Sequence, residues 1–160
     1  MTRSAIMPVI IGAALALFVA MLGSSITVLD GWYRSLTLPS WTPAGPMFGM
    51  IWTIIFALTA LAGILTWLAI PTRRASEALL GLFAINGFFN ILWSLLFFRA
   101  ERPDWAFYEL ILLWLSVLAL IVFCRRYSWP SALLLVPYLA WVTIAGVLNY
   151  EVIQLNGPFG

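Results

Sequence analysis

Between Arg3 and Asp30 lie 26 residues without a single charge, and the rest of the chain repeats the pattern, with long apolar runs parted by short clusters that hold nearly every ionisable group. Roughly 20 apolar residues in a helix cross the ~30 Å hydrocarbon core of a bilayer, and a helix satisfies its own backbone there. At 160 residues the chain has room for five or six crossings and no soluble domain. It is 64% hydrophobic and 9% charged, whereas soluble domains run near 25% charged. These features predict an all-α integral membrane protein, a five-transmembrane-helix bundle forming one domain over 1–160.

The runs place helices at about 5–29, 46–70, 77–98, 105–124 and 129–152, with a loop over 30–45. The first run is too long for a signal peptide, whose apolar region spans about 7–15 residues, since apolar character continues through Ile26, Val28 and Leu29. Its Gly12, Ala16, Ala20 and Ser24 recur every four residues, a small-residue stripe suited to close packing with a neighbour and compatible with a homodimer. Pro46 suits the first turn of the second helix and Pro71 ends it. Glu77 is expected in the first turn of the third, at the positive end of the helix dipole. Pro137 should bend the fifth. Glu109 falls one turn inside the fourth helix, where mild strain is expected, because its carboxylate can reach water or Arg102; a functional role is the lesser reading.

All eight basic residues are arginines at or near run ends, so the pI near 9.0 reports contacts with anionic headgroups and gives no nucleic-acid surface. Arg3, Arg73, Arg74, Arg125 and Arg126 fall on one side of a five-span arrangement and Arg34, Arg99 and Arg102 on the other. The positive-inside rule then puts the N-terminus in the cytoplasm and the 30–45 loop outside. The absence of His excludes His-based acid–base catalysis and the usual His ligand of haem iron. No metal site and no required cofactor are expected. Cys124, the one cysteine, has no internal disulfide partner and reads as a small buried residue.

The loop and the helix it enters are rich in rings. Trp32 to Trp52 holds three Trp, one Tyr, three Pro and one Phe in 21 residues. Such rings suit a lipid–water boundary, and each Pro stiffens the path, so the stretch is either an aromatic belt or a lid over a ligand. Phe48, Trp52 and Phe56 follow at four-residue spacing, on one helix face below that loop. The third helix carries Asn86, Asn90 and Ser94 at the same spacing, with Trp93 and Phe97 beside them. The fifth carries Tyr138, Trp141, Ala145 and Asn149. Amides in hydrocarbon must face inward and find partners, and interhelical bonding alone, worth about 0.6–2 kcal/mol each, accounts for them one by one. Taken together, the three faces also describe an apolar cavity with a few fixed polar groups, suited to a flat organic ligand.

Four blocks carry a resemblance: W-Y-x-x-L-x-x-P-x-W-x-P at Trp32–Pro43; Phe48 with Trp52; N-x-x-W-S at Asn90–Ser94; and V-P-Y-L-x-W-x-x-x-A-x-x-L-N at Val136–Asn149. In this order and spacing they make the chain similar, over nearly its whole length, to the TspO/MBR family of tryptophan-rich sensory and translocator proteins. The resemblance implies a five-helix bundle, commonly a homodimer, that binds porphyrins such as protoporphyrin IX or haem in an intramembrane pocket under the first loop. Tyr33, Trp52, Phe56, Asn90, Trp141 and Ala145 would line that pocket. Arg34, Trp41, Phe48, Asn86, Trp93, Tyr138 and Asn149 complete the candidate set, with Asn90 or Arg34 meeting the ligand's polar edge. The main expectation is a porphyrin-binding receptor, sensor or carrier in the bilayer. Alternatives are a passive small-molecule transporter and a light- and oxygen-dependent porphyrin-degrading enzyme, in which Trp52 and Trp141 would be the catalytic indoles. Three positions depart from many relatives: Ala44 replaces a second Pro, Asn86 a Gln and Phe56 a Tyr. The shorter amide and lost hydroxyl are expected to weaken polar contacts to the ligand. The sterol-recognition pattern fails, since no Lys or Arg follows Tyr150.

Overall fold

The computed structural model describes residues 31–159 together with Ile10, Ala14 and Met21. Apart from those three positions, which are helical, the helix expected over 5–29 and its small-residue stripe lie outside the described residues. The rest is helical: α1 (Gly31–Ser35), α2 (Gly45–Ala69), α3 (Arg73–Ser94, continued by a π-helical turn over Leu95–Arg99), α4 (Pro103–Arg125) and α5 (Trp129–Asn156). Helices α2 to α5 are each long and apolar enough to cross a membrane.

Each boundary has a local cause. Ala44 is extended, and Pro46 sits in the opening turn of α2, where a missing N–H loses no bond. The expected start of α3 at Glu77 is one turn late. Thr72 caps the helix, its Oγ1 accepting from the Ala75 N–H at 3.3 Å. Glu77 therefore lies beyond the first turn and pairs with Arg73 across the exposed surface at 2.8 Å, a contact worth little in water. Ser128 caps α5 in the same way, and the helix runs past the expected end at 152 to Asn156. Pro137 lies inside α5 on an exposed face, and the helix continues through it.

Packing centres on the α4–α5 pair. On α4 the buried positions Ala106, Leu110, Leu113, Val117, Leu120 and Cys124 alternate spacings of four and three, the seam of a left-handed helix pair. Val142, Gly146 and Asn149 are buried on α5 in the same rhythm. A Cβ on Gly146 would stand 3.1 Å from Leu110 Cδ2, so this glycine sets how closely the helices approach. α3 packs on the other side of α4, and α2 packs on α5, so the order is α2–α5–α4–α3, with α2 and α3 approaching only sparsely. Large apolar side chains point outward, among them Ile54, Phe88, Ile111, Leu115 and Val147. Water would not favour that surface, and lipid does. Arg102 stacks over Trp105 at 4.3 Å and Arg125 over Trp129 at 4.8 Å, marking the two ends of α4 with an amphipathic cation–π pair each. The protein is an integral, multi-pass membrane protein.

Candidate functional site

Helical periodicity brings the α2 rings onto one face, and α5 supplies what they meet. Trp52 is the hub. Its indole stacks on Phe56 with centroids 5.3 Å apart and meets Tyr138 and Trp141 edge-on at 6.0 and 6.4 Å. Phe48 meets Trp141 edge-on at 5.6 Å. Tyr138 and Trp141 are buried, whereas Phe48, Trp52, Phe56 and Ala145 remain half-buried. From α3, Phe89 and Trp93 pack against the same cluster, and Leu110 and Leu113 of α4 close its back. Edge-to-face pairs of this kind add about 0.5–1.5 kcal/mol each beyond burial, which holds ring orientations fixed.

The polar side chains form two separate groups. In the first, Asn90 Nδ2 donates to the Tyr138 hydroxyl at 3.2 Å, that hydroxyl donates to Asn86 Oδ1 at 3.2 Å, and Asn86 Nδ2 donates to Ser116 Oγ at 2.9 Å. The Ser116 hydroxyl ends the series on the Leu113 carbonyl at 2.7 Å. Here the short amide of Asn86 reaches both α4 and α5, so the departure from Gln is absorbed into helix packing. In the second group, Asn149 Oδ1 accepts from Trp93 Nε1 at 3.2 Å while its Nδ2 donates to the Pro103 carbonyl at 2.8 Å. That carbonyl opens α4, so Asn149 ties α3 and α4 to α5.

The loop over 31–44 lies over this end of the bundle. Trp32 meets Phe97 edge-on at 6.0 Å, and Tyr33 lies 5.6 Å from Phe98. Burial pushes the Tyr33 phenol above its ordinary pKa, keeping the ring neutral. Two residues of α5 clip the loop down. Asn156 Oδ1 accepts from the Thr37 N–H at 2.7 Å, and its Nδ2 donates to the Thr37 carbonyl at 2.9 Å. Trp41 Nε1 donates to Glu151 Oε2 at 2.9 Å.

The candidate residues therefore separate. Phe48, Trp52, Phe56, Tyr138, Trp141 and Ala145 come together, with Asn90 and Trp93 on the α3 side. Asn86 and Asn149 have their amides engaged between helices. Tyr33, part of the loop, packs on Phe98. Trp41 is 43% exposed and serves as a clip, and Arg34 is exposed at the end of α1. Glu109 requires a correction. It is 6% exposed, neither carboxyl oxygen has a hydrogen-bond partner among the described residues, and Arg102 pairs instead with Asp104, Nε to Oδ1 at 2.8 Å. Counting one turn from the helix start gives depth along the axis but not the facing direction, and Glu109 shares the inward α4 face with Ser116, two turns away. The same limitation hid Ser116 and Asn156, whose only sequence signal was a polar side chain in or beside an apolar run.

The TspO/MBR family profile matches residues 9–155. Tryptophan-rich protein TspO of Chlorobaculum tepidum is 37% identical over 150 residues, 89% of this chain and 91% of that protein. Protein CrtK of Rhodobacter capsulatus is 39% identical over 126 residues, 78% of each chain. Translocator protein of Ovis aries is 35% identical over 126 residues, 78% of this chain and 75% of its own. These matches span the ring-bearing helices and the loop above them, and the chain belongs to the TspO/MBR family.

Proposed function

We propose that this chain is a membrane receptor or carrier for a flat, largely apolar ligand of the porphyrin class, protoporphyrin IX or haem, held beside Trp52 beneath the 30–45 loop. One observation carries the reading: Phe56, Tyr138 and Trp141 are fixed edge-on or in a stack against Trp52, with Phe48 edge-on to Trp141, yet Trp52 stays half-buried. Pre-oriented rings with residual exposure offer a stacking face to a planar ligand at little ordering cost. A loop clipped at Thr37 and Trp41 supports a cover. A sensory role fits the name of a relative, the tryptophan-rich sensory protein of Cereibacter sphaeroides, 34% identical over 128 residues.

The test is titration of the purified protein with protoporphyrin IX, following Trp emission. Saturable quenching that weakens by about tenfold or more in Trp52→Ala is expected, from loss of one stacking partner. Absence of saturable quenching would sink the reading. Illuminating the complex in air then separates binder from degrading enzyme, since only an enzyme yields a product absorbance that vanishes in Trp52→Phe.

A further inference from the structure

The polar series through Asn90, Tyr138, Asn86 and Ser116 has a direction that chemistry fixes. A backbone carbonyl can only accept, so the 2.7 Å contact between Ser116 Oγ and the Leu113 carbonyl uses the one hydroxyl proton of Ser116. Ser116 Oγ must then accept from Asn86, which turns Asn86 Nδ2 to Ser116 and Asn86 Oδ1 to Tyr138. Tyr138 donates its only proton to that oxygen and must accept from Asn90, which turns Asn90 Nδ2 inward. Each step removes one choice, so the orientation of the Asn90 amide follows from a carbonyl on another helix and not from Asn90 itself.

The oxygen of Asn90 is left over. Asn90 Oδ1 accepts no bond from the described residues, and Asn90 keeps 6% of its surface exposed. Phe89, the residue before it, and Trp93, three residues on, pack against the ring cluster. One further observation has the same sense. The described arginines stand at helix ends or in the loops, so no described cation faces the interior to receive a ligand anion. Within the ring cluster the one enclosed donor left unpartnered among the described residues is the indole N–H of Trp141; the enclosed hydroxyls of Thr42, Thr59 and Thr66 lie outside it.

Resting on the reading of this site as a pocket for a flat ligand, we propose that its interior end selects a hydrogen-bond donor: Asn90 Oδ1 receives an N–H or O–H of the ligand, with Tyr138, Asn86 and Ser116 as positioning residues. Ligand carboxylates are accordingly left toward the loop, where Arg34 lies. Neutral flat probes that differ only in hydrogen-bonding sense isolate the effect.

The experiment titrates the detergent-solubilised protein with pyrene, 1-aminopyrene and 1-methoxypyrene, each corrected for partition into protein-free micelles, following energy transfer from Trp. The amine donates and the methyl ether only accepts. The amine should bind roughly five- to tenfold tighter than the ether, the value of one net hydrogen bond. In Ser116→Ala the series loses its anchor and both amide orientations of Asn90 become available; in Tyr138→Phe the amide loses its partner. In either variant the ratio should fall to within about twofold, and in Ser116→Ala, which lies outside the ring cluster, pyrene itself should bind as before, a pattern that general loosening of the fold would not produce. A wild-type ratio near one, or a ratio that persists in both variants, would overturn the proposal. A preference for the ether would overturn it too, and would place the ligand's polar group on Trp141. If pyrene shows no saturable binding, the pocket reading fails and takes this inference with it; if pyrene binds without donor preference, this inference alone fails.

Discussion

The two faces of α5 are built for opposite ends. Toward α4 it presents Val142, Gly146, Asn149 and Val152, small or fully hydrogen-bonded groups that close against a matching seam. Toward α2 it presents Tyr138 and Trp141, large rings that meet Trp52 and Phe48 edge-on and leave the α2 rings half-buried. In a bilayer, where lipid competes for apolar surface as well as a neighbouring helix does, close approach and hydrogen bonds hold helices together, and rings do so less efficiently. The seam therefore carries stability, and the ring face is free to carry recognition.

Substitutions on the two faces should separate these roles. Gly146→Leu has the largest expected effect: a side chain would enter a space where even a Cβ stands 3.1 Å from Leu110. The helices must part, at about 3 kcal/mol or more including the lost seam contacts. A fall in thermal midpoint of the detergent-solubilised protein, with aggregation, is the expected readout; an unchanged midpoint would remove the seam from the comparison. Trp52→Ala should do the reverse, weakening porphyrin binding by about 2 kcal/mol while shifting the midpoint little. A midpoint shift as large as that of Gly146→Leu would mean that the rings are core.

Asn156→Ala lies between the two. It removes two bonds to Thr37 near the surface, about 1 kcal/mol together, so cleavage within 36–44 by added protease should accelerate several-fold with the thermal midpoint unchanged. Equal cleavage rates would show that the clip does not hold the loop. Ala44→Pro is the smallest. Ala44 already has φ −61° and ψ 148°, which proline adopts without strain. The substitution should stabilise the closed loop by about 0.4–1 kcal/mol and tighten ligand binding up to a few-fold. Unchanged or weaker binding would mean that loop stiffness does not limit the ring face.

What was legible in the sequence was what depends on neighbours along the chain. Charge-free length gave membrane helices; four-residue spacing put Phe48, Trp52 and Phe56 on one face; and ordered blocks of Trp, Pro and Asn pointed to the family. Glu77 was already harder to place, since one capping hydroxyl, that of Thr72, moved the start of α3 by a turn. Which face met which partner was settled only by the tertiary structure. Asn86, Asn90 and Asn149 are equivalent amides in an apolar run, yet Ser116 and the Leu113 carbonyl orient the first two, and Trp93 and the Pro103 carbonyl enclose the third. Glu109, one turn from a helix start, is turned into the interior and away from Arg102. A hydrogen bond or a burial depends on atoms brought together by the order α2–α5–α4–α3, and residues 30 to 56 positions apart in sequence carry no local trace of that meeting.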